Sequence, residues 1–244
     1  MKTCRIFGAG ERVDGSLLER PQPGDLTIAA DGGIAWLSQL SQTEPAFLPN
    51  RFVGDFDSVS EEISALRRRL AEFGTELTEL PVVKDDTDTG AAAELAGKLG
   101  YRRIVIYGGT GGNRFDHTIA NLQLLTHLAR CGIAGYLVGR DGCTCAVDAS
   151  QKAMVIRGAE GKSFGVFSAG GTVTGVSIYG AKYELSEGTL KDDFALGVSN
   201  SFAAKEIGLK AEEGAIVGTR ISCKKGTLLI TGEFLPKDCD LIFA

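Results

Sequence analysis

Aspartates gather directly after hydrophobic runs, in Ala30-Asp31-Gly32-Gly33, Gly54-Asp55-Phe56-Asp57-Ser58, Lys84-Asp85-Asp86-Thr87-Asp88 and Arg114-Phe115-Asp116-His117. Carboxylates crowded on one rim repel one another unless a hard cation sits among them. Magnesium is such a cation, keeping waters and substrate phosphates as its remaining oxygen ligands. Lys84 and Arg114 add positive charge beside the acids, and Gly108-Gly109-Thr110-Gly111-Gly112 leaves backbone amides open to close approach by a phosphate. Metal, cation and amide donors in one cleft are the recurring parts of phosphoryl transfer, where positioning and charge neutralisation supply most of the catalysis. The competing explanation is helix capping, because Asp is a favoured N-cap and each cluster precedes a helical pattern. Capping accounts for any single cluster. It does not require Asp55 and Asp57 in one short turn, nor Asp85, Asp86 and Asp88 in another.

The elements that must carry these residues change character near residue 147. Before it, short apolar runs at residues 4–7, 26–30, 51–54, 76–82, 103–107 and 135–138 read as strands. Helical patterns lie between them. One follows Ser58, with Ile63, Leu66, Leu70 and Phe73 at spacings of three and four, Ser58 and Glu61 as a capping box, and Arg67-Arg68-Arg69 on a solvated face. A second carries Ala91, Leu95 and Leu99, and a third, after Asp116, buries Ile119, Leu122, Leu125 and Leu128. Alternating strand and helix predicts an α/β fold with a mostly parallel, three-layer domain over residues 1–147, its ligands at the carboxyl ends of the strands. Those ends are where the aspartates fall. From residue 148 to 244 the pattern becomes all strand, at residues 153–156, 163–167, 171–178, 202–206, 215–222 and 227–231, predicting an antiparallel, sandwich-like β domain packed closely on the first.

Composition excludes some partners. A net charge of −5 leaves no broad basic footprint for nucleic acid or an anionic membrane, so a polyanionic substrate needs a metal or a few local cations. Six cysteines without a secretory leader point to reduced thiols and a cytoplasmic location, and no stretch is apolar for long enough to span a membrane. Gly161-Lys162-Ser163 lacks the upstream glycine of a phosphate-binding loop, which is Ile156 here, and its flanks read as strands. Gly8-Ala9-Gly10 follows the first strand as a dinucleotide loop does, yet the third glycine position is Val13, so a tight turn near a ligand is the safer reading. Cys143 and Cys145 have no matching second pair for a metal, and with only His117 and His127 available a serine-hydrolase triad is poorly supported. His117 reads as a structural partner at a helix start, and Trp36 as core or interface.

The four acidic pieces, with Asn121 just beyond the last, resemble in order the signatures of the thiamine pyrophosphokinase family. Gly180-Ala181-Lys182-Tyr183-Glu184-Leu185 and Gly197-Val198-Ser199-Asn200 resemble its thiamine-side motifs, and residues 226–230 its terminal strand. Two departures stand out: Asn113 is one residue inserted before Arg114, and Ser201 follows Ser199-Asn200 where the family commonly has an acid. The resemblance implies an α/β domain holding ATP, a β domain helping to form the thiamine pocket, and a homodimer with active sites where subunits meet. The reaction it implies moves a pyrophosphoryl group from ATP to the hydroxyl of thiamine, giving thiamine diphosphate and AMP. On that basis Asp55, Asp57 and Asp88 are assigned to Mg²⁺, with Asp31 and Asp85 nearby as polar groups. Asp31, Gly32, Lys84, Asp85, Thr110, Gly111 and Arg114 are assigned to ATP, Asp116 to positioning Arg114 or a substrate group, Ser199 and Asn200 to thiamine, and Asp55, Asp57, Asp88, Arg114 and Asp116 form the catalytic set. Which group accepts the hydroxyl proton stays open; Asp88 qualifies if it lies within reach. Two alternatives also stay open: a pyrophosphokinase for another heterocyclic alcohol, such as a hydroxymethyl pterin, and a nucleotide-binding sensor that performs no transfer.

Overall fold

The computed structural model describes residues 1–54, 68, 70–72, 74–79, 86–203, 206–208 and 215–243. Their contacts divide into two compact units, Met1–Asn121 with Leu137–Arg140, and Leu122–Tyr136 with Asp141–Ala244. The fold is mixed α/β.

In the first unit, β1 (Thr3–Phe7) and β2 (Leu26–Ala30) are buried at every position, as parallel strands covered on both faces are. Strand β3 (Arg51–Gly54), β4 (Glu76–Glu79) and β5 (Arg103–Tyr107) complete a parallel run, with β1 pairing both β2 and β5, β2 pairing β3, and β3 pairing β4. Strand β6 (Ala134–Gly139), of which residues 137–139 belong to this unit, lies beyond β5, giving the order β6-β5-β1-β2-β3-β4. Because the chain runs outward from β1 in both directions, the loops after β1 and β5 part company at their carboxyl ends, and such a switch point opens a crevice. Helix α1 (Gly33–Thr43) buries Ile34, Trp36 and Leu37; Trp36 meets the ring of Phe7 edge-on at 5.1 Å and is core. At the opposite end of β1, the buried Arg5 pairs with Asp25 at 2.7 Å and Arg103 pairs with Glu19 at 2.6 Å, which anchors the long connection from β1 to β2.

Two helices face differently from expectation. In α2 (Asp88–Lys98) the buried positions are Gly90, Ala92, Ala93 and Ala96, whereas Leu99 is 48% exposed and Ala91 and Leu95 are half-buried. Small side chains let this helix lie close on the strands it covers, and hydropathy weights them too lightly to mark them as the inner face. In α3 (Phe115–Arg130) Leu125 and Leu128 are buried, but Ile119 is 45% exposed. Four residues before Leu125 stands Asn121, only 4% exposed, so a polar side chain heads the inward stripe and displaces the apolar register that the sequence suggests. The helix expected after Ser58 lies outside the described residues except for Arg68 and residues 70–72, of which Arg68 is exposed and Leu70 buried.

The second unit pairs its strands antiparallel. Strand β7 (Gly142–Asp148) pairs β16 (Thr227–Gly232), which pairs β9 (Ser163–Ser168), with β12 (Asn200–Ser201) at the edge. A second sheet orders β11 (Leu185–Leu190), β10 (Val173–Tyr179), β15 (Thr219–Ser222), β8 (Gln151–Ile156) and β17 (Cys239–Phe243). A small ribbon joins β13 (Glu206–Gly208) and β14 (Ala215–Val217). Of the strand expected at residues 202–206, Phe202 makes a single bridge to Ala181 just after the two-residue β12, residues 204–205 lie outside the described residues and Glu206 begins β13, while Gly218 interrupts the run at 215–222. Cys143 and Cys145 are buried, and the Gly161-Lys162-Ser163 piece turns into β9 instead of opening a helix. Among the described residues no helix is long and apolar enough to cross a membrane.

Candidate active site

Within the first unit a cleft of about 180 Å³ opens at the carboxyl ends of the parallel strands. Ala9 and Gly10 come to it from the end of β1, Asp31 from β2, Asp88 from the start of α2, and Gly109, Gly111 and Arg114 from the loop after β5. Backbone bonds lock the two loops that part at the switch point. Gly8 N–H donates to Tyr107 O at 2.8 Å and Gly10 N–H to Gly108 O at 2.7 Å. Gly108, Gly111 and Gly112 take φ of 63°, 68° and 74°, a left-handed region that side chains resist and glycine adopts freely. Asn121, buried on α3, donates its amide to Gly109 O at 2.7 Å and so pins this loop.

Asp31 also sits at positive φ, 50°, with its N–H on Val53 O at 2.9 Å and its carbonyl accepting from Ile34 N–H at 3.2 Å to begin α1. Gly32 is the N-cap residue, and at Gly33 a Cβ would fall on the carbonyl oxygen of Phe7, so only glycine lets the helix start this close to β1. Gly54 at the end of β3 lies against the Asp31 backbone. Asp55 and Asp57, which follow it, and Lys84 and Asp85 lie outside the described residues. Thr87 caps α2, its hydroxyl accepting from Gly90 N–H at 3.0 Å, and thereby sets Asp88 in the first turn, where the helix dipole favours a carboxylate.

Arg114 and Asp116 form a two-pronged pair, Nε to Oδ1 at 3.0 Å and Nη2 to Oδ2 at 2.8 Å. Hydrogen bonding from Arg114 holds the Asp116 carboxyl down at about 2, so it is ionised at any working pH. Both side chains are open to water, and His117, which also lines the cleft, gives its backbone N–H to Arg114 O at 3.1 Å. Asn113 lies in the same lining, beside the two positive-φ glycines before it. The cleft thus collects Asp31, Asp88, Gly111 and Arg114, with Gly32 and Thr110 beside them and Asp116 on Arg114. Thr87 has no role read from sequence; Gly10 is expected only as part of a tight turn near a ligand, and Asn121 only as the residue just beyond the last acidic piece. Thr87 had the clearest signal, a capping residue directly before Asp88 and the run Gly90-Ala91-Ala92-Ala93.

In the second unit the two thiamine-like pieces lie side by side. Lys182 N–H donates to Ser201 O at 2.9 Å, and Ala203 N–H to Gly180 O at 3.1 Å. Asn200 is buried; its Oδ1 accepts from the N–H groups of Tyr183 at 3.0 Å and Ser201 at 2.9 Å, and its amide donates to Tyr183 O at 2.7 Å. Ser199 stands before it at φ 59°, and Lys182 Nζ lies 5.2 Å from the Tyr183 ring centre, that ring being 60% exposed. Ser201 continues β12 opposite Ser163.

A parallel sheet whose switch-point cleft is walled by a positive-φ glycine loop, carboxylates and an arginine is the arrangement of an α/β enzyme. Residues 22–137 match the family model of the thiamin pyrophosphokinase catalytic domain, and residues 150–216 that of the thiamin pyrophosphokinase vitamin B1 binding domain. The chain belongs to the thiamin pyrophosphokinase family. Its fold is similar to the thiamine pyrophosphokinase of Bacillus subtilis, at TM-score 0.75 and 22% identity over 96% of this chain and 99% of that one. It is also similar to the Geobacillus thermodenitrificans thiamin pyrophosphokinase, at 0.72 and 21% over 97% and 99%, and to the yeast protein, at 0.65 and 14% over 97% and 87%. No curated protein sequence matches the chain.

Proposed function

We infer that the chain transfers a pyrophosphoryl group from ATP to the hydroxyl of thiamine, yielding thiamine diphosphate and AMP. The observation that carries this is the pinned glycine loop with Arg114 at its end, facing Asp31 and Asp88 in one cleft, in a chain whose two halves match the catalytic and vitamin B1 binding models in turn. The loop amides and Arg114 bind and orient the phosphates, with Lys84 adding charge and Gly32, Thr110 and Gly111 lining the nucleotide. Asp116 keeps the guanidinium aimed. The sites for Mg²⁺ are Asp55, Asp57 and Asp88, with Asp31 and Asp85 as polar neighbours. Hard carboxylate oxygens suit that ion, and Asp88 and Asp31 already share the cleft, although the described residues alone hold no cluster of three or more candidate ligands. When bound, the ion neutralises triphosphate charge. Ser199 and the Tyr183 segment that Asn200 holds form the thiamine side, in a sandwich-like β domain over residues 148–244 that follows the catalytic domain over 1–147. The enzyme works as a homodimer with shared active sites.

Incubation with ATP, magnesium and thiamine tests this: AMP and thiamine diphosphate form in equal amounts. AMP formed only with a hydroxymethyl pterin, or ATP binding without AMP, ends the assignment. Sedimentation at the mass of a single chain ends the dimer.

A further inference from the structure

We propose that Glu11 and Arg140 form an ion-pair strap across the glycine loop, and that they are positioning residues for the nucleotide; this rests on the reading of the cleft as an ATP site. Strands β6 and β1 flank β5 on either side. Glu11 follows Gly10 in the loop after β1, and Arg140 directly follows β6. The Glu11 N–H donates to Thr110 O at 2.9 Å, its Oε1 accepts from Arg140 Nη2, and its side chain lies along Gly111, where a Cβ would stand 2.6 Å from Oε2 and 2.9 Å from the Glu11 Cβ. A carboxylate from one side of β5 and a guanidinium from the other therefore meet beside the loop that β5 feeds.

Gly111 and Gly112 lack the side chains that would restrict them, so the loop keeps its shape only where neighbouring groups hold it. Asn121 holds Gly109 from below. Beyond Gly109 the strap supplies the restraint, through Thr110 and Gly111. Neither Glu11 nor Arg140 lines the cleft, and the side chains are 39% and 71% exposed, so the pair acts on the nucleotide through the loop and weakens with salt.

Steady-state kinetics of the full chain with ATP, magnesium and thiamine test the strap in Glu11→Gln, Arg140→Gln and the double variant. Each single change raises the KM for ATP about two- to fivefold, the range of an exposed ion pair, and the KM for thiamine stays put. The double variant is no worse than either single one, and the exchanged pair Glu11→Arg with Arg140→Glu recovers part of the loss. An unchanged or lowered KM for ATP in Glu11→Gln, or additive effects in the double variant, overturns the strap. Amide hydrogen exchange at residues 110–112 reads it without turnover: exchange quickens in Glu11→Gln, and equal rates in variant and wild type also overturn it. Absence of AMP from the wild type removes the ATP reading instead, and the exchange rates then decide the strap by themselves.

Discussion

On the proposed function, Arg114 meets a phosphate with Nε and Nη2 already engaged by Asp116, while Nη1 takes no part in that pair. A guanidinium fixed on one edge presents its other edge in a set direction, so less order has to be imposed when the nucleotide arrives. Asp116→Asn loosens that aim, and we expect the KM for ATP to rise about threefold to tenfold. The Asp116 carboxyl titrates at about 2 in the folded chain against an ordinary 3.8. Its folded value lies below its unfolded one, so the stability it contributes is present above about pH 3.8 and is lost as pH falls through 2. Two measurements follow. The pH-rate profile between 5 and 9 keeps its shape in Asp116→Asn, and any difference in melting midpoint from wild type shrinks as the pH is lowered from 4 to 2. A limb that moves within the neutral range takes Asp116 out of this role. On the proposed function Asp88 belongs to the chemistry more directly. Asp88→Asn keeps the helix start, because Thr87 supplies the cap, and turnover falls by about two orders of magnitude or more, as when one preorganised charge is removed. Near-normal turnover with intact circular dichroism removes Asp88 from the mechanism.

At the scale of elements, the glycine loop depends on α3 through one buried side chain. Asn121→Ala leaves Gly109 O without its donor, a loss of about 1–3 kcal/mol, and frees the loop. We expect a lower melting midpoint together with a raised KM for ATP; a variant that melts lower but binds ATP as before makes Asn121 purely structural. The same side chain marks the limit of what the sequence shows. Strands β2, β3 and β5 are legible to the residue because parallel strands buried on both faces are short, mostly apolar runs without polar alternation. Helix faces were harder. Periodicity weighs Ile119 above Asn121, and only the carbonyl of Gly109, distant in the chain, makes the asparagine the inward residue. In α2 the inner face is glycine and alanine, chosen for close approach rather than for apolar area. Arg114, Asp31 and Asp88 could be read as a rim because each directly follows an apolar run or opens a helix. The Arg140 partner of Glu11 could not, since an ion pair spanning three loops leaves no local spacing.

For the whole molecule, the two units predict a division of labour that kinetics can separate. Asn200 places its amide on both backbone groups of Tyr183 and on Ser201 N–H, so its contribution is the shape of the segment that carries Ser199, Lys182 and the exposed Tyr183 ring. Replacement by alanine removes all three bonds at a buried position and lets that segment relax, whereas nothing in the nucleotide cleft changes its bonding. Asn200→Ala therefore raises the KM for thiamine by about tenfold, the equivalent of roughly 1.4 kcal/mol, and leaves the KM for ATP near wild type. Asn121→Ala shows the reverse split. Measured side by side, the two variants form a crossed pair in which each serves as the folding control for the other, because a general loss of structure raises both constants together. An Asn200→Ala effect confined to ATP assigns the β unit to the nucleotide, and the thiamine side then has to be sought elsewhere in the chain.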